Sequence, residues 1–471
     1  MFENFLHPIV NWINGILWGY VLIYLLLSVG AFFTIRFGFI QSRIFRSNVF
    51  KREPGLSVQG ITGFQAFATG IASRVGTGNI VGVAVALTVG GPGAIFWMWV
   101  VALLGMSSAF VEATLAQIFK IRNEDGSFRG GPSYYIQIGL RSRGFGMVFA
   151  LSLILAFGFV FNAVQAQSIA ETMDISFDIP RHWVGIALVL LTAPVIFGGI
   201  RRVAKFASVI VPIMALGYLG VAAFVLLTHV TALPGVLSLI VKSAFGLEQA
   251  VGGTVGYAVT VAMMTGIKRG LFSNEAGMGS APNAAAAAVT SHPVSQGLLQ
   301  MLGVVVDTMI ICTATALIIL LSGQYVPGGE TQGASLTHAA ITAHLGTGGG
   351  MFLTIAIFFF AYSSVLGNYA YAEGNVQFIS KHPLLLFIFR VCVLGMVMFG
   401  ATGSLPLVWD MADTSMGLMA LINLVAIVLL SKHAYAAWRD YLEQKKRGID
   451  VPKFTRDSIP ALRNILPKDV W

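Results

Sequence analysis

Along the chain, long apolar runs alternate with short polar connections. Eleven runs stand out, near residues 16–37, 61–88, 93–119, 145–171, 183–200, 204–228, 250–289, 296–322, 350–379, 384–401 and 405–431. A helix crosses the hydrocarbon core with ~20 predominantly apolar residues. The pattern therefore predicts an all-α integral membrane protein of about eleven transmembrane helices. Two runs are interrupted where a continuous helix would be expected: Thr69 to Ile80, with Gly76-Thr77-Gly78-Asn79, and Thr265 to Ser280, with Ser273-Asn274-Glu275 and Gly277-Met278-Gly279. At membrane depth, unwound backbone is tolerated only inside protein or beside a wet cavity. Two such breaks in corresponding positions of two halves point to a substrate and ion site.

The connections set the orientation. Arg36, Arg43, Arg46, Lys51 and Arg52 fill the first, and Lys120, Arg122, Arg129, Arg141 and Arg143 the third. Arg201, Arg202 and Lys205, then Lys381, then the tail after Ser431 continue the series. The alternate connections are acidic or carry few charges. Lys and Arg collect on the cytoplasmic side, so the N-terminus is expected outside and the C-terminus inside. An odd number of spans requires the same. The run at 16–37 is one extra N-terminal helix; 61–228 and 250–431 then form two groups of five, each opening with a discontinuous helix. Five is odd, so the groups enter from opposite faces, a 5+5 inverted repeat. Residues 1–431 are expected to be one transmembrane domain. Residues 432–471 are expected to be a cytoplasmic tail, helical at first from His433 to Lys446, and Gly323–Gly349 a partly structured outer loop.

Composition sharpens this. Of 471 residues, 56% are hydrophobic and 10% charged, and mean hydropathy is +0.80; soluble domains carry ~25% charged residues. The lipid bilayer is thus the main partner. The net charge of +9 is spread over basic loops, a topology signal rather than a nucleic-acid surface. Cys312 and Cys392 make no disulfide framework and no metal-ligand spacing. There is no nucleophilic triad and no phosphate-binding loop, and no pattern specifies an oligomeric state.

The breaks carry the candidate chemistry. Glycines at Gly76 and Gly78 let a ligand approach the backbone, and N–H groups at the start of a half-helix favour an anion such as an amino-acid carboxylate. Carbonyls left free by the preceding half-helix suit Na⁺ or an ammonium; the Asn79 amide serves either group. A glycine-packed helix crossing is the alternative. Glu275, inside a span, calls for a partner among Lys268, Arg269 and Arg74. It is read as a clamp on the unwound strand through an ion pair and backbone N–H bonds, or as a sodium ligand or gate; Arg74 and Asn274 belong with it as structural or gating residues. Ser363 and Ser364 offer adjacent hydroxyls, hard oxygen ligands for a small cation by analogy with other hard ions. Glu112, Asp307, Asp410 and Asp413 stand as ion-handling candidates.

Gly76-Thr77-Gly78-Asn79-Ile80-Val81-Gly82, with Gly90-Gly91-Pro92-Gly93-Ala94, and Lys268-Arg269-Gly270-Leu271-Phe272-Ser273-Asn274-Glu275-Ala276-Gly277-Met278-Gly279-Ser280 together resemble the signatures of the alanine or glycine:cation symporter family. The resemblance spans almost the whole chain. It implies a LeuT-type core, secondary active uptake of a small neutral amino acid (alanine, with glycine or serine) across a bacterial plasma membrane, Na⁺ as the co-transported ion and no organic cofactor. It implies a sodium site of Ser363, Ser364 and the carbonyls of Ala72 and Val75. Substrate contacts are implied at Gly76, Thr77, Gly78, Asn79, Gln165, Gly277, Met278, Gly279 and Asn368. Family members often carry Trp where this chain has Asn368, which bears on side-chain preference. Proton coupling on the same fold, an intramembrane enzyme and a channel are the competing readings.

Overall fold

The computed structural model describes residues 2–46, 61–198, 200–247, 254–329 and 333–471. Lys51, Arg52, Glu330 and the first residues of the seventh run lie outside them. Sixteen helical segments organise the described residues. The first half comprises α1 (His7–Arg36), α2 (Gly63–Arg74), α3 (Gly78–Gly90), α4 (Gly93–Ile118), α5 (Pro132–Gly139), α6 (Arg143–Phe177), α7 (Arg181–Ile196) and α8 (Ile200–Thr228). After α9 (Leu233–Ala244) come α10 (Thr254–Asn274), α11 (Pro282–Ala287), α12 (Pro293–Leu321), α13 (Gly333–Leu345), α14 (Thr347–Ile379), α15 (Pro383–Thr402) and α16 (Leu405–Lys446).

Local chemistry explains many boundaries. Pro132, Pro282, Pro293 and Pro383 each start a helix, where the missing N–H costs nothing. Thr62 and Gln65 cap α2 reciprocally. Eight described helices are long and apolar enough to cross a membrane, nine if α2 and α3, bent by 49°, are one span. The two further runs of the expected eleven are α7, 16 residues long, and α10 with α11, which the polar second break divides. The first span begins earlier than expected, and α16 runs unbroken from the eleventh span through the tail helix to Lys446. Helix α13 structures the predicted outer loop.

The inner helix α4 packs against α10 and α12. Its residues 105–118 are all buried. Short strands β1 (Ile61–Thr62) and β4 (Ala288–Val289) pair in parallel, tying the start of the first broken span to the end of the second. Between them in sequence, β2 (Ile121–Arg122) and β3 (Phe128–Arg129) form an antiparallel pair. The tail returns to this end: Phe454 N–H donates to the Ser291 carbonyl and Trp471 Nε1 to the Ile118 carbonyl. Loops 119–131 and 379–383, the β1–β4 pair and the tail thus share one end, the basic end of the molecule.

Candidate functional site

Helix α2 stops at Arg74 because Val75, at φ −78° and ψ 88°, leaves helical geometry. A π-helical turn at Gly78–Gly82 then opens α3. The exposed donors of this break are already answered. Gly76 N–H donates to Asn79 Oδ1 at 3.0 Å and Thr77 N–H to Gln165 Oε1 at 3.1 Å. Two side-chain amide oxygens thus accept from the first N–H groups of the break. The glycines serve close approach. A methyl on Gly78 would meet the Phe272 ring at 2.9 Å, and one on Gly76 would meet Ser364 and Gln165. A Gly78→Ala change would therefore disturb helix packing whatever else it does.

The predicted sodium ligands gather here. Ser364 Oγ lies 2.9 Å and Ser363 Oγ 3.4 Å from the Ala72 carbonyl oxygen, and both hydroxyls also bond Phe360. Val75 is buried on the same non-helical turn.

The second break has different geometry. Glu275, Gly277 and Gly279 all have positive φ, at 58°, 86° and 87°, the left-handed region that favours glycine. Asn274 Oδ1 caps Ala276 N–H. Gly277 N–H donates to Glu112 Oε1, and its carbonyl accepts from Asn423. Cβ atoms on Gly277 and Gly279 would meet Leu424, Ser108, Asn423, Phe149 and Pro132, and Met278 is buried. Cβ positions at Gly277 and Gly279 thus face scaffold side chains.

Glu275 departs from the predicted clamp. Its carboxylate accepts from the hydroxyls of Ser73 (2.8 Å) and Ser280 (2.6 Å). Among the described residues no Lys or Arg nitrogen lies within 4 Å of it. Arg74 donates to the Gln300 carbonyl, and its Nε and Nη2 have no partner. Arg269 pairs with Asp413, with Lys268 at 3.8 Å. The rule that intramembrane charges pair holds for Arg269, but the partner lies in α16, which sequence order does not reveal. Asn368 Oδ1 lies 2.8 Å from Ser73 Oγ, beside the break rather than on a detached pocket wall.

Sequence reasoning gave Asp307 no partner. It sits on a π-helical stretch, Val305–Cys312, and accepts from Asn79, Ser273 and Thr308 at 2.6, 2.8 and 2.8 Å. The Asn79 amide therefore bridges Gly76 N–H and Asp307, linking the first break to α12. Aromatic rings run beside this assembly: Phe157 stacks on Phe161, Phe161 on Phe272, and Phe272 lies 4.9 Å from Trp409. On the basic end a cavity of about 500 Å³ opens between loop 123–130, α11 and the end of α14, lined among others by Arg129, Asn283, Glu373 and Gln377.

The family model described as the sodium:alanine symporter family matches residues 3–456. The chain is 50% identical over 464 residues to the amino-acid carrier protein AlsT of Bacillus subtilis, covering 98% of this chain and 97% of that one. It is 48% identical to the probable sodium/glutamine symporter GlnT of the same organism, over 100% and 97% of the two chains. A solved mutant of the Eremococcus coleocola manganese transporter shares the fold, with a TM-score of 0.52 at 13% identity over 80% of this chain and 78% of that one. Taken with buried polar breaks in a bundle of apolar helices, these matches show a multi-pass membrane transporter, not an enzyme, and the chain belongs to the sodium:alanine symporter family.

Proposed function

We propose that this protein carries a small neutral amino acid, alanine first, into the cell together with Na⁺, by alternating access around the first break. Cation-coupled amino-acid symport is the activity of the family; the ion, the substrate and the residues are our reading. One observation carries it. The break's two N–H groups are held by amide oxygens of Asn79 and Gln165, while the paired serines of α14 meet the Ala72 carbonyl just before the same break. A substrate carboxylate would replace the Gln165 oxygen at Thr77, and Na⁺ would join Ser363, Ser364, Ala72 and Val75. Gly76, Gly78 and Asn79 shape this seat, and Asn368 borders it.

The order of elements supports the inverted repeat. A broken span (α2–α3), a long helix (α4), a short one (α5) and three more (α6, α7, α8) recur as α10–α11, α12, α13, α14, α15 and α16. With α1 as the extra helix, residues 61–228 and 250–431 are the repeats within one membrane domain. The basic end is then cytoplasmic and carries residues 432–471, and the N-terminus is outside.

Purified protein in proteoliposomes tests this. Labelled alanine should accumulate with an inward Na⁺ gradient at fixed pH and not with K⁺. The Ser363→Ala, Ser364→Ala double variant should need more Na⁺ for half-maximal uptake, with reciprocal loss of alanine affinity at limiting Na⁺. Uptake that follows a proton gradient without Na⁺ would favour a second reading, proton coupling through Asp307 or Glu275, both buried among hydroxyls.

A further inference from the structure

The cavity at the basic end carries a charge pattern that the transport site does not use. It holds about 500 Å³, within the ~300–1,000 Å³ of small-molecule sites. Loop 123–130, α11 and the end of α14 form its walls, and its lining reaches inward along α14 as far as Ala370. One wall sets a cation against an anion with a single amide between them. Arg129 Nη1 donates to Gln377 Oε1 at 2.8 Å, and Gln377 Nε2 donates to Glu373 Oε1 at 3.5 Å. Glu373 is 8% exposed and is held by Arg390 at 3.2 Å. Gln377 follows it by one turn on the same face of α14. A Cβ on Gly374, also on the cavity wall, would meet no atom within 4 Å.

The Gln377 amide is neutral, yet it puts its oxygen on a guanidinium and its nitrogen on a carboxylate. An α-amino acid has the same polarity over a similarly short span, with a carboxylate for the oxygen and an ammonium for the nitrogen. Two full charges attract more strongly than a charge and a dipole, and more so beside a partly desolvated wall. We propose that Arg129 and Glu373, with the open space beside Gly374, form a second amino-acid site at the end placed inside the cell. Its ligand is a small zwitterion, carboxylate on Arg129 and ammonium on Glu373, and it displaces the Gln377 amide. The site shares no residue with the Ser363–Ser364 pair, so its occupancy needs no Na⁺. Its role rests on the transport reading above: amino acid accumulated inside fills the cavity and slows further uptake.

Two measurements test the site, with monodisperse elution as the folding control. Saturation-transfer NMR on the purified protein without Na⁺ reads alanine binding by itself. Vesicles of phosphatidylcholine and phosphatidylglycerol, loaded with alanine but no Na⁺, read the initial rate of labelled alanine uptake on an inward Na⁺ gradient. Without internal Na⁺ the central site cannot reload from inside, so slowing by internal alanine reports the cavity. Arg129→Gln and Glu373→Gln should raise the internal alanine needed for half-inhibition about tenfold or more, the effect of losing a hydrogen bond to a charge. Gln377→Ser removes the competing amide and should lower it about threefold. Opposite signs from touching residues separate a binding site from a loosened wall. Gly374→Leu fills the space and should abolish the slowing and the NMR signal, which keeps the test alive if Glu373→Gln does not fold. Internal alanine without effect on the parent, or equal half-inhibition in the parent, Arg129→Gln and Gln377→Ser, overturns the site. So does loss of the alanine effect on adding phosphatidylethanolamine, whose headgroup is also a zwitterion; the cavity would then belong to lipid. A parent that binds alanine without Na⁺ in this variant pattern, yet takes none up on a Na⁺ gradient, overturns the transport reading and leaves the site standing.

Discussion

The two ends of the bundle both carry charge, in opposite settings. At the end of α1 and α16 that we place outside, Arg269 bonds Asp413 with side chains 5% and 7% exposed. The guanidinium lies 4.8 Å over the Trp409 ring and 5.8 Å over Phe272. Helix α1 braces this lock. Trp18 Nε1 donates to the Asp413 carbonyl, Asn14 Nδ2 donates to that of Asp410, and His7 meets the Asp410 carboxylate at 3.0 Å. At the basic end, a polar chain from Arg129 through Gln377 and Glu373 to Arg390 and Tyr369 runs along a 500 Å³ cavity. The Lys381–Glu124 pair at its mouth is 70% and 93% exposed. The Arg269–Asp413 lock is dry and the Lys381–Glu124 pair is wet. Breaking one partner of a buried pair costs about 3–5 kcal/mol, whereas an exposed pair contributes about 0–1 kcal/mol. The Arg269–Asp413 lock should thus depend on single residues and the Lys381–Glu124 pair should not.

The largest effect is expected at the dry lock. Asp413→Ala leaves Arg269 buried without its acid, at a cost of about 3–5 kcal/mol. Thermal denaturation in detergent should show this loss. Buried Cys312, which contacts Asn79 and Ser273, should become reactive to a charged thiol reagent added outside, in a Cys392→Ser background. Stability and Cys312 protection equal to the parent would remove the distinction between the ends. Trp18→Phe keeps an aromatic ring but removes the Nε1 hydrogen bond, about 1 kcal/mol, and leaves a small cavity at a fully buried position. It should raise Cys312 labelling to an intermediate level, and parental labelling would make α1 packing only.

A smaller effect should appear with pH at the basic end. Burial holds the His292 imidazole below its usual pKa, against the raising effect of Asp440. Its Nδ1 accepts Val294 N–H while Nε2 meets Asp440, which suits the neutral ring. A depressed folded-state pKa contributes stability above the unfolded value of about 6.5 that is lost as pH falls below it. Proteolysis of the tail should accelerate from pH 7.5 to pH 5.5, and His292→Asn should flatten that dependence. An equal pH response in both proteins would dissociate His292 from tail docking. Least of all, Lys381→Ala should shift stability by no more than about 0.5 kcal/mol. A loss as large as that of Asp413→Ala would reverse the comparison.

The helices were legible because apolar length and Lys/Arg asymmetry are properties of single segments. Both breaks were legible for the same reason, as glycine and polar residues within apolar runs. The pairing of those features was not. Arg269 could have met Glu275, six residues on; only packing against α16 selects Asp413. In sequence the glycines Gly277 and Gly279 resemble Gly76 and Gly78. Their positive φ shows that they serve a left-handed turn whose backbone is held by Glu112 and Asn423. Ser73 carries no signal beyond being a serine in an apolar run, and its importance appears only when α2, α14 and the second break meet.

The β1–β4 pair also bears on how the protein is made. Ile61 emerges from the ribosome early, and its partner Ala288 follows only after every helix from α2 to α11. Closing a longer loop adds little entropy cost, yet it cannot begin before both strands exist. Lys120 waits for the Ala288 carbonyl as well, and Ser291 for Phe454, which follows α16. The basic end is thus completed only after every described span has been made, so a chain stalled before residue 454 would keep its spans and lack the seam that joins the two broken helices to the tail.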